Sequence, residues 1–314
     1  MHFEESYFEG EEREGFYIEP MMKRAWAAQL EVLETVDAIC RRNNIEYFAS
    51  GGTLLGAIRH GGYIPWDDDL DIEMKRLDYE RFLKIAEREL PGEYRIASPA
   101  RDCEWNGPFA RILNTSQIPL EGESLQQFHG FPWQAGVDIF PIDYLPVDKK
   151  QEDIMLKLYR TVVILAYDWE KGTVSEDKKM KDLREIENLC NMQFSPDRPY
   201  KQQLWILAER ISAMYWDTFE EAKEVSMGYM LVNQPKYRIP ASCYRQSKRV
   251  PFENTMIPIP IGYHQVLEAC YGKDYMIPKQ GGSDHEYPFY RQQQELVARL
   301  CKENGLKMPE YLWE

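Results

Sequence analysis

One stretch constrains this chain more than any other: Ser50 to Glu73, reading SGGTLLGAIRHGGYIPWDDDLDIE. It opens with Gly51-Gly52 directly after a β-prone run, Ile45 to Ala49, and closes on Asp67, Asp68, Asp69 and Asp71 interleaved with Leu70 and Ile72. Side chains of a strand alternate between its two faces. A strand here therefore puts Asp69 and Asp71 on one face, with Asp67 in phase at its start, and turns Leu70 and Ile72 into a core. Carboxylates about 7 Å apart along one strand repel each other unless a cation lies between them. Oxygen-only ligation by one or two carboxylates plus substrate phosphates suits Mg²⁺. The run predicts a metal-phosphate site, with a solvated acidic loop or a helix cap as the plainer alternative.

The flanking residues fit that prediction. Glycine serves where the backbone turns tightly or approaches a ligand closely. With a helix starting near Thr53, the Gly51-Gly52 turn becomes an anion cradle; an ordinary strand-to-helix turn is the alternative. Arg59-His60 precede a second glycine turn, and the planar fork of Arg59 could reach a phosphate oxygen or lie on the surface.

The same string, GGTLLGAIRHGGYIPWDDDLDI, resembles the signature of the LicD family, whose relatives include fukutin and fukutin-related protein. These belong to the nucleotidyltransferase-fold superfamily: a strand, a Gly-Gly/Ser turn, a helix, Asp-x-Asp on the next strand, and a third Asp on a later one. The turn-to-Asp spacing here is longer than the usual pattern. Asp67/Asp69 therefore stays open beside Asp69/Asp71 as the metal pair, and the flanking apolar pattern favours the second. The third acidic position matches Asp138 in GVDIFPIDY, the polar exception in an apolar strand, where an unpartnered carboxylate is costly. Asp143 is the alternative there, but Pro141 makes it read as a turn residue. The segment FARILNT also resembles the family, with Arg111 at its basic position, either neutralising phosphate or pairing with the aspartates.

A second, looser resemblance runs from Phe252-Glu253 through Pro258-Ile259-Pro260, Gly262-Tyr263, Leu267 and Tyr271-Gly272. Nearby Lys248 or Arg249 could face a nucleotide phosphate or be simple surface charge. His285, in the polar loop GGSDHEYP, could act near the site.

The resemblance implies transfer of a phospho-alcohol, typically phosphocholine from CDP-choline, to a hydroxyl of a surface glycan or teichoic acid precursor, with CMP leaving. It makes Asp69, Asp71 and Asp138 the metal ligands, for Mg²⁺ or Mn²⁺, and with Arg59 the catalytic set. Gly51, Gly52, Thr53, His60, Arg111, Lys248 and His285 are then the substrate-binding set. Choline needs an aromatic enclosure, and Trp66, Trp105, Trp133 and Tyr144 lie near the motif in sequence. A nucleotidyltransferase releasing pyrophosphate from an NTP, and a non-catalytic nucleotide-binding protein, are the competing readings.

Composition narrows the class. With 38 basic against 52 acidic residues the net charge is −14, which argues against nucleic acid, because phosphate backbones are bound by clustered Lys and Arg. No run approaches the roughly 18 apolar residues of a membrane span, and the acidic start lacks a signal peptide's pattern. A cytoplasmic protein is expected, with peripheral attachment at the inner membrane face as a variant. Six scattered cysteines without a CxxC pair fit neither zinc nor a disulfide framework.

The expected fold is a mixed α/β core of nucleotidyltransferase type with an added helical region. Residues 1–20 read as a tail, 21–148 as the catalytic core, 149–235 as helical, and 236–314 as a segment walling the cleft. Within this frame, 21–42 is an amphipathic helix with Met22, Trp26, Leu30, Leu33, Val36 and Cys40 on one face. Helices are also expected at 78–90, 151–170, 178–193, 201–217 and 218–232, with Trp169, Trp205 and Trp216 as core, and 235–263 reads as irregular.

Overall fold

The stripe expected along residues 21–42 is buried. In the computed structural model, which describes residues 1–116, 118, 123–172, 174–218, 221–234, 237–281 and 287–307, a hairpin of β1 (Glu11–Arg13) and β2 (Phe16–Ile18) leads into α1 (Pro20–Asn43). Proline at the first helical position and left-handed Asn44 just past the end punctuate α1. All six stripe residues sit in the main core. The chain continues through β3 (Phe48–Ala49), α2 (Gly51–Arg59), β4 (Asp71–Lys75), α3 (Arg76–Glu89), β5 (Arg95–Ala97), β6 (Ala110–Leu113), α4 (Glu123–Gln127) and β7 (Gly136–Tyr144).

These strands form one mixed sheet in the order β3-β4-β7-β6-β5, in which only β4 and β7 run parallel. Leu70 and Ile72 face the core as the alternation requires. The expected mixed α/β class holds. No described helix is long and apolar enough to cross a membrane.

Pro141 does not end β7, so Asp143 is not a turn residue. The strand runs through it because the two neighbours on that side leave a gap: β6 pairs as far as Ile139, and the next partner begins at Ile142. Asp138 donates its N–H to the carbonyl of Leu70, just before β4. By alternation the nitrogen of Pro141 faces that gap, where no donor is needed. Asp143 is buried in a two-pronged ion pair with Arg76, both contacts at 2.7 Å.

A second core follows, built by α5 (Lys149–Lys171), α6 (Glu176–Cys190) and α7 (Tyr200–Ser212) around residues such as Val162, Ile186, Leu204 and Trp205. Trp205 is fully buried, whereas Trp216 is 51% exposed. The helix has already ended by then, and a 3₁₀ turn carries Trp216 outward.

The helix expected at 218–232 is replaced by β8 (Glu224–Met227) followed by α8 (Gly228–Asn233). Val225, Ser226 and Met227 pair with the end of β7 and are buried there, so tertiary pairing overrides local propensity. The region read as irregular holds β9 (Ile239–Pro240) and a hairpin of β10 (Ser247–Phe252) and β11 (Thr255–Pro260). A two-stranded ribbon has two open edges, which is where strand prolines are tolerated. The described chain closes with α9 (Tyr263–Tyr271) and α10 (Arg291–Glu303).

Candidate active site

Register builds the site. Asp71 of β4 lies opposite Asp138 of β7, and Asp138 lies opposite Arg111 of β6. Directly opposed residues share a face, so the three form a row across adjacent strands, and Asp69 precedes Asp71 on that face. The acidic run is held from outside by its backbone. The Trp26 indole donates to the Asp67 carbonyl (3.1 Å), and the Gln29 amide to the Asp68 carbonyl (2.9 Å). Asp71 donates its N–H to the Thr53 hydroxyl at 2.9 Å, and Ser50 donates to the Asp71 carbonyl at 3.0 Å.

Side-chain oxygens of Asp67, Asp68 and Asp69 come within 4.8 Å of one another. Burial, and then the charge of Asp69, hold the carboxyls of both Asp67 and Asp71 well above the usual carboxylate range; Asp138 adds to this at Asp71. An oxygen-only set crowded with negative charge is the donor chemistry a hard divalent cation fits. Asp68 is the least suited member, because its Oδ2 accepts the Phe289 N–H at 2.6 Å.

Asp138 has both oxygens on Arg111, whose Nη2 donates at 2.7 Å while its Nε donates to the other oxygen. Burial works against the guanidinium charge, but Asp138 more than offsets it and raises the Arg111 pKa. Of the two roles open to Arg111, pairing with the aspartates is the one occupied here.

The first turn of α2 closes the other side. Gly51 has φ +49°, and a Cβ on Gly52 would lie 2.2 Å from Oδ2 of Asp67. No side chain fits there while Asp67 keeps its place. Thr53, expected among the substrate contacts, is buried and engaged with the Asp71 N–H.

Two cavities meet at Asp69. One, about 440 Å³, is lined on the α2 side by Gly52, Arg59, Trp66, Tyr271 and Lys279, together with Asp67 and Asp71. Arg59 also donates to the Tyr275 carbonyl at 2.9 Å, fastening α2 to the chain after α9. The other, about 330 Å³, is lined by Trp105, Arg111, Asp138 and four glutamines.

Some expected residues lie elsewhere. His60 bonds Glu14 at 3.2 Å in a separate surface cavity, because the chain turns outward after Arg59. Lys248 lies on β10 with its ammonium 4.4 Å from the Tyr263 ring centroid and lines neither cavity. Arg249 pairs with Asp37 on α1 at 2.9 and 3.1 Å. Trp133 is fully buried in the main core and Tyr144 ends β7, so of the aromatic candidates only Trp66 and Trp105 face the cavities. His285 lies outside the described residues.

Residues 44–138 match the family described as LicD/FKTN/FKRP, nucleotidyltransferase domain, a span that begins just before β3 and ends on Asp138. The lipopolysaccharide cholinephosphotransferase LicD of Haemophilus influenzae is 28% identical over 251 residues, covering 79% of this chain and 88% of that protein. The chain is similar to the LicD family. Uncharacterised proteins of Rickettsia typhi and Rickettsia prowazekii are also similar, at 41% over 66 residues and 46% over 48. Those matches span 21% and 15% of this chain, and 21% and 18% of the Rickettsia proteins.

Beyond the LicD-family signature, the cavities take residues that motif reading did not select. Tyr271 belongs to the second resemblance, which carries no role for it. Tyr275, Lys279, Gln134, Gln292 and Gln293 carry no local pattern, since they reach the cavities only through tertiary folding.

Proposed function

We propose that this chain is a metal-dependent phosphotransferase that moves a phospho-alcohol, phosphocholine first among them, from a CDP-linked donor to a hydroxyl of a glycan, releasing CMP. The observation that carries the reading is a row of carboxylates at the junction of two cavities, one on the helix α2 side and one on the Asp138 side. The similarity to the Haemophilus cholinephosphotransferase over most of both chains supports phosphocholine as the group transferred.

Asp69 and Asp71 would hold the cation, with Asp67 beside them and Asp138 as the neighbouring carboxylate on β7. When bound, Mg²⁺ or Mn²⁺ would offset charge on the donor phosphates and polarise them. The α2-side cavity takes the donor. Gly51 and Gly52 let the backbone approach its phosphates, and Arg59 and Lys279 bring positive charge to the leaving CMP. Trp66 and Tyr271 offer aromatic faces to a quaternary ammonium. In the reaction the acceptor oxygen bonds to the phosphorus bearing the alcohol, and the bond from that phosphorus to the CMP oxygen breaks. The hydroxyl proton passes to Asp138.

The test is CMP release in the presence of Mg²⁺ from CDP-choline, CDP-ethanolamine, CDP-ribitol and CDP-glycerol. Wild type should release CMP from at least one donor, CDP-choline foremost, and Asp69→Asn or Asp71→Asn should lower the rate by about 10²–10³-fold. Pyrophosphate from an NTP with no CMP from any donor would replace this reading with nucleotidyl transfer. Neither product would leave a nucleotide-binding protein.

A further inference from the structure

The cavity beyond Asp69 differs in chemistry from its neighbour. Among the described residues its cation is Arg111, whose charge is paired with Asp138 through Nε and Nη2. Its polar lining is otherwise mostly amide. Gln29 is spent, donating to Asp68 and accepting from Tyr63. Gln293 is spent on the backbone of Gln134, accepting its N–H at 2.9 Å and donating to its carbonyl at 3.3 Å, which clasps α10 to the entry of β7. Gln134 uses its Nε2 on the Thr115 carbonyl at 3.1 Å and keeps its Oε1 unbonded among the described residues. Gln292, on the first turn of α10, makes no side-chain hydrogen bond among them. Trp105 forms an apolar wall, fixed by its N–H to the Phe109 carbonyl at 2.8 Å and by Arg111 over its ring.

We infer that this cavity binds the acceptor as an uncharged sugar unit, with Gln134, Gln292 and Trp105 as its specificity-determining residues. An amide both donates and accepts, as a hydroxyl does, and an indole packs against the C–H face of a ring. A phosphate or carboxylate would face Asp69 and Asp138, with Arg111, the one cation among the described lining residues, already charge-paired to Asp138, so it would be disfavoured. The acceptor hydroxyl then lies at Asp138, across Asp69 from the donor. The inference rests on the phosphotransfer reading for the name acceptor, and the binding of a neutral sugar can be tested without it.

The experiment is ligand-observed saturation-transfer NMR, without donor, on a panel of methyl hexopyranosides and methyl N-acetylhexosaminides, with glycerol 3-phosphate and glucuronic acid as charged comparisons. At least one neutral glycoside should bind and both anions should bind more weakly. Gln292→Leu and Trp105→Ala should each weaken that glycoside about tenfold. In turnover the same variants should raise the acceptor KM by a similar factor, with the donor KM little changed. Tighter binding of either anion, or glycoside binding indifferent to both variants, would overturn the inference. A chain that binds glycosides in this variant-sensitive way, yet releases no CMP from any donor, would refute the transfer reading while upholding the sugar site.

Discussion

Glu73 carries the site's electrostatic tension one step deeper. It follows Asp71 by two residues on β4, so it shares that face, and it is 1% exposed. Burial pushes its carboxyl up to about 8, against the opposing hydrogen bonds from Tyr244 and Ser50. A carboxyl raised above its unfolded value of about 4.3 contributes stability that is complete below that value. The contribution is lost as pH rises through about 8. Wild type should therefore lose stability relative to Glu73→Gln between pH 5 and 8.5, at up to ~1.4 kcal/mol per pH unit. Thermal melts of the two proteins across that range check this, and parallel curves would contradict it. Gly52 could be read from sequence as a tight approach, but the close neighbour is Asp67 itself. The glycine makes room for the carboxylate as well as for a ligand.

Among the elements, β7 does most to join the molecule. It pairs with β4 on one side and with β6 and then β8 on the other. Its Asp143 binds Arg76 from the start of α3, and the same guanidinium donates to Ser212 at the end of α7 at 3.1 Å. One buried ion pair thus ties the catalytic sheet to the helical region. Removing one partner leaves a buried charge uncompensated, so Asp143→Asn should cost about 3–5 kcal/mol in urea unfolding. The Arg76→Met/Asp143→Leu double variant should recover most of that loss. A single-variant cost near zero would refute the role given to this pair. This element also marks where sequence reading failed. Proline in a strand usually argues against the strand, and only the gap between β6 and β8 makes Pro141 harmless.

At the scale of the whole molecule, what could be read in advance was what is local in the chain. The stripe of α1, the glycine turn, the Asp69/Leu70/Asp71/Ile72 alternation and the apolar frame around Asp138 each express a period or a punctuation mark within a few residues. The fold class follows from them. What depended on distant pairing was not readable: β8 drawn from a segment of helical composition, His60 and Arg249 claimed by Glu14 and Asp37, and the cavity walls assembled from residues 271–281 and 289–293. Those walls bring the end of the chain against the acidic run, through Arg59 to Tyr275 and Asp68 to Phe289. In the proposed reaction one cation joins the carboxylates of β4 to the donor's phosphates. The most direct measurement is Mn²⁺ binding, followed by its EPR signal, to wild type and Asp69→Asn with and without CDP-choline. Mn²⁺ and CDP-choline should tighten each other's binding in wild type, by the same factor in each direction, and Asp69→Asn should weaken Mn²⁺ about tenfold or more. CDP-choline bound equally well with Mn²⁺ and with EDTA would contradict it.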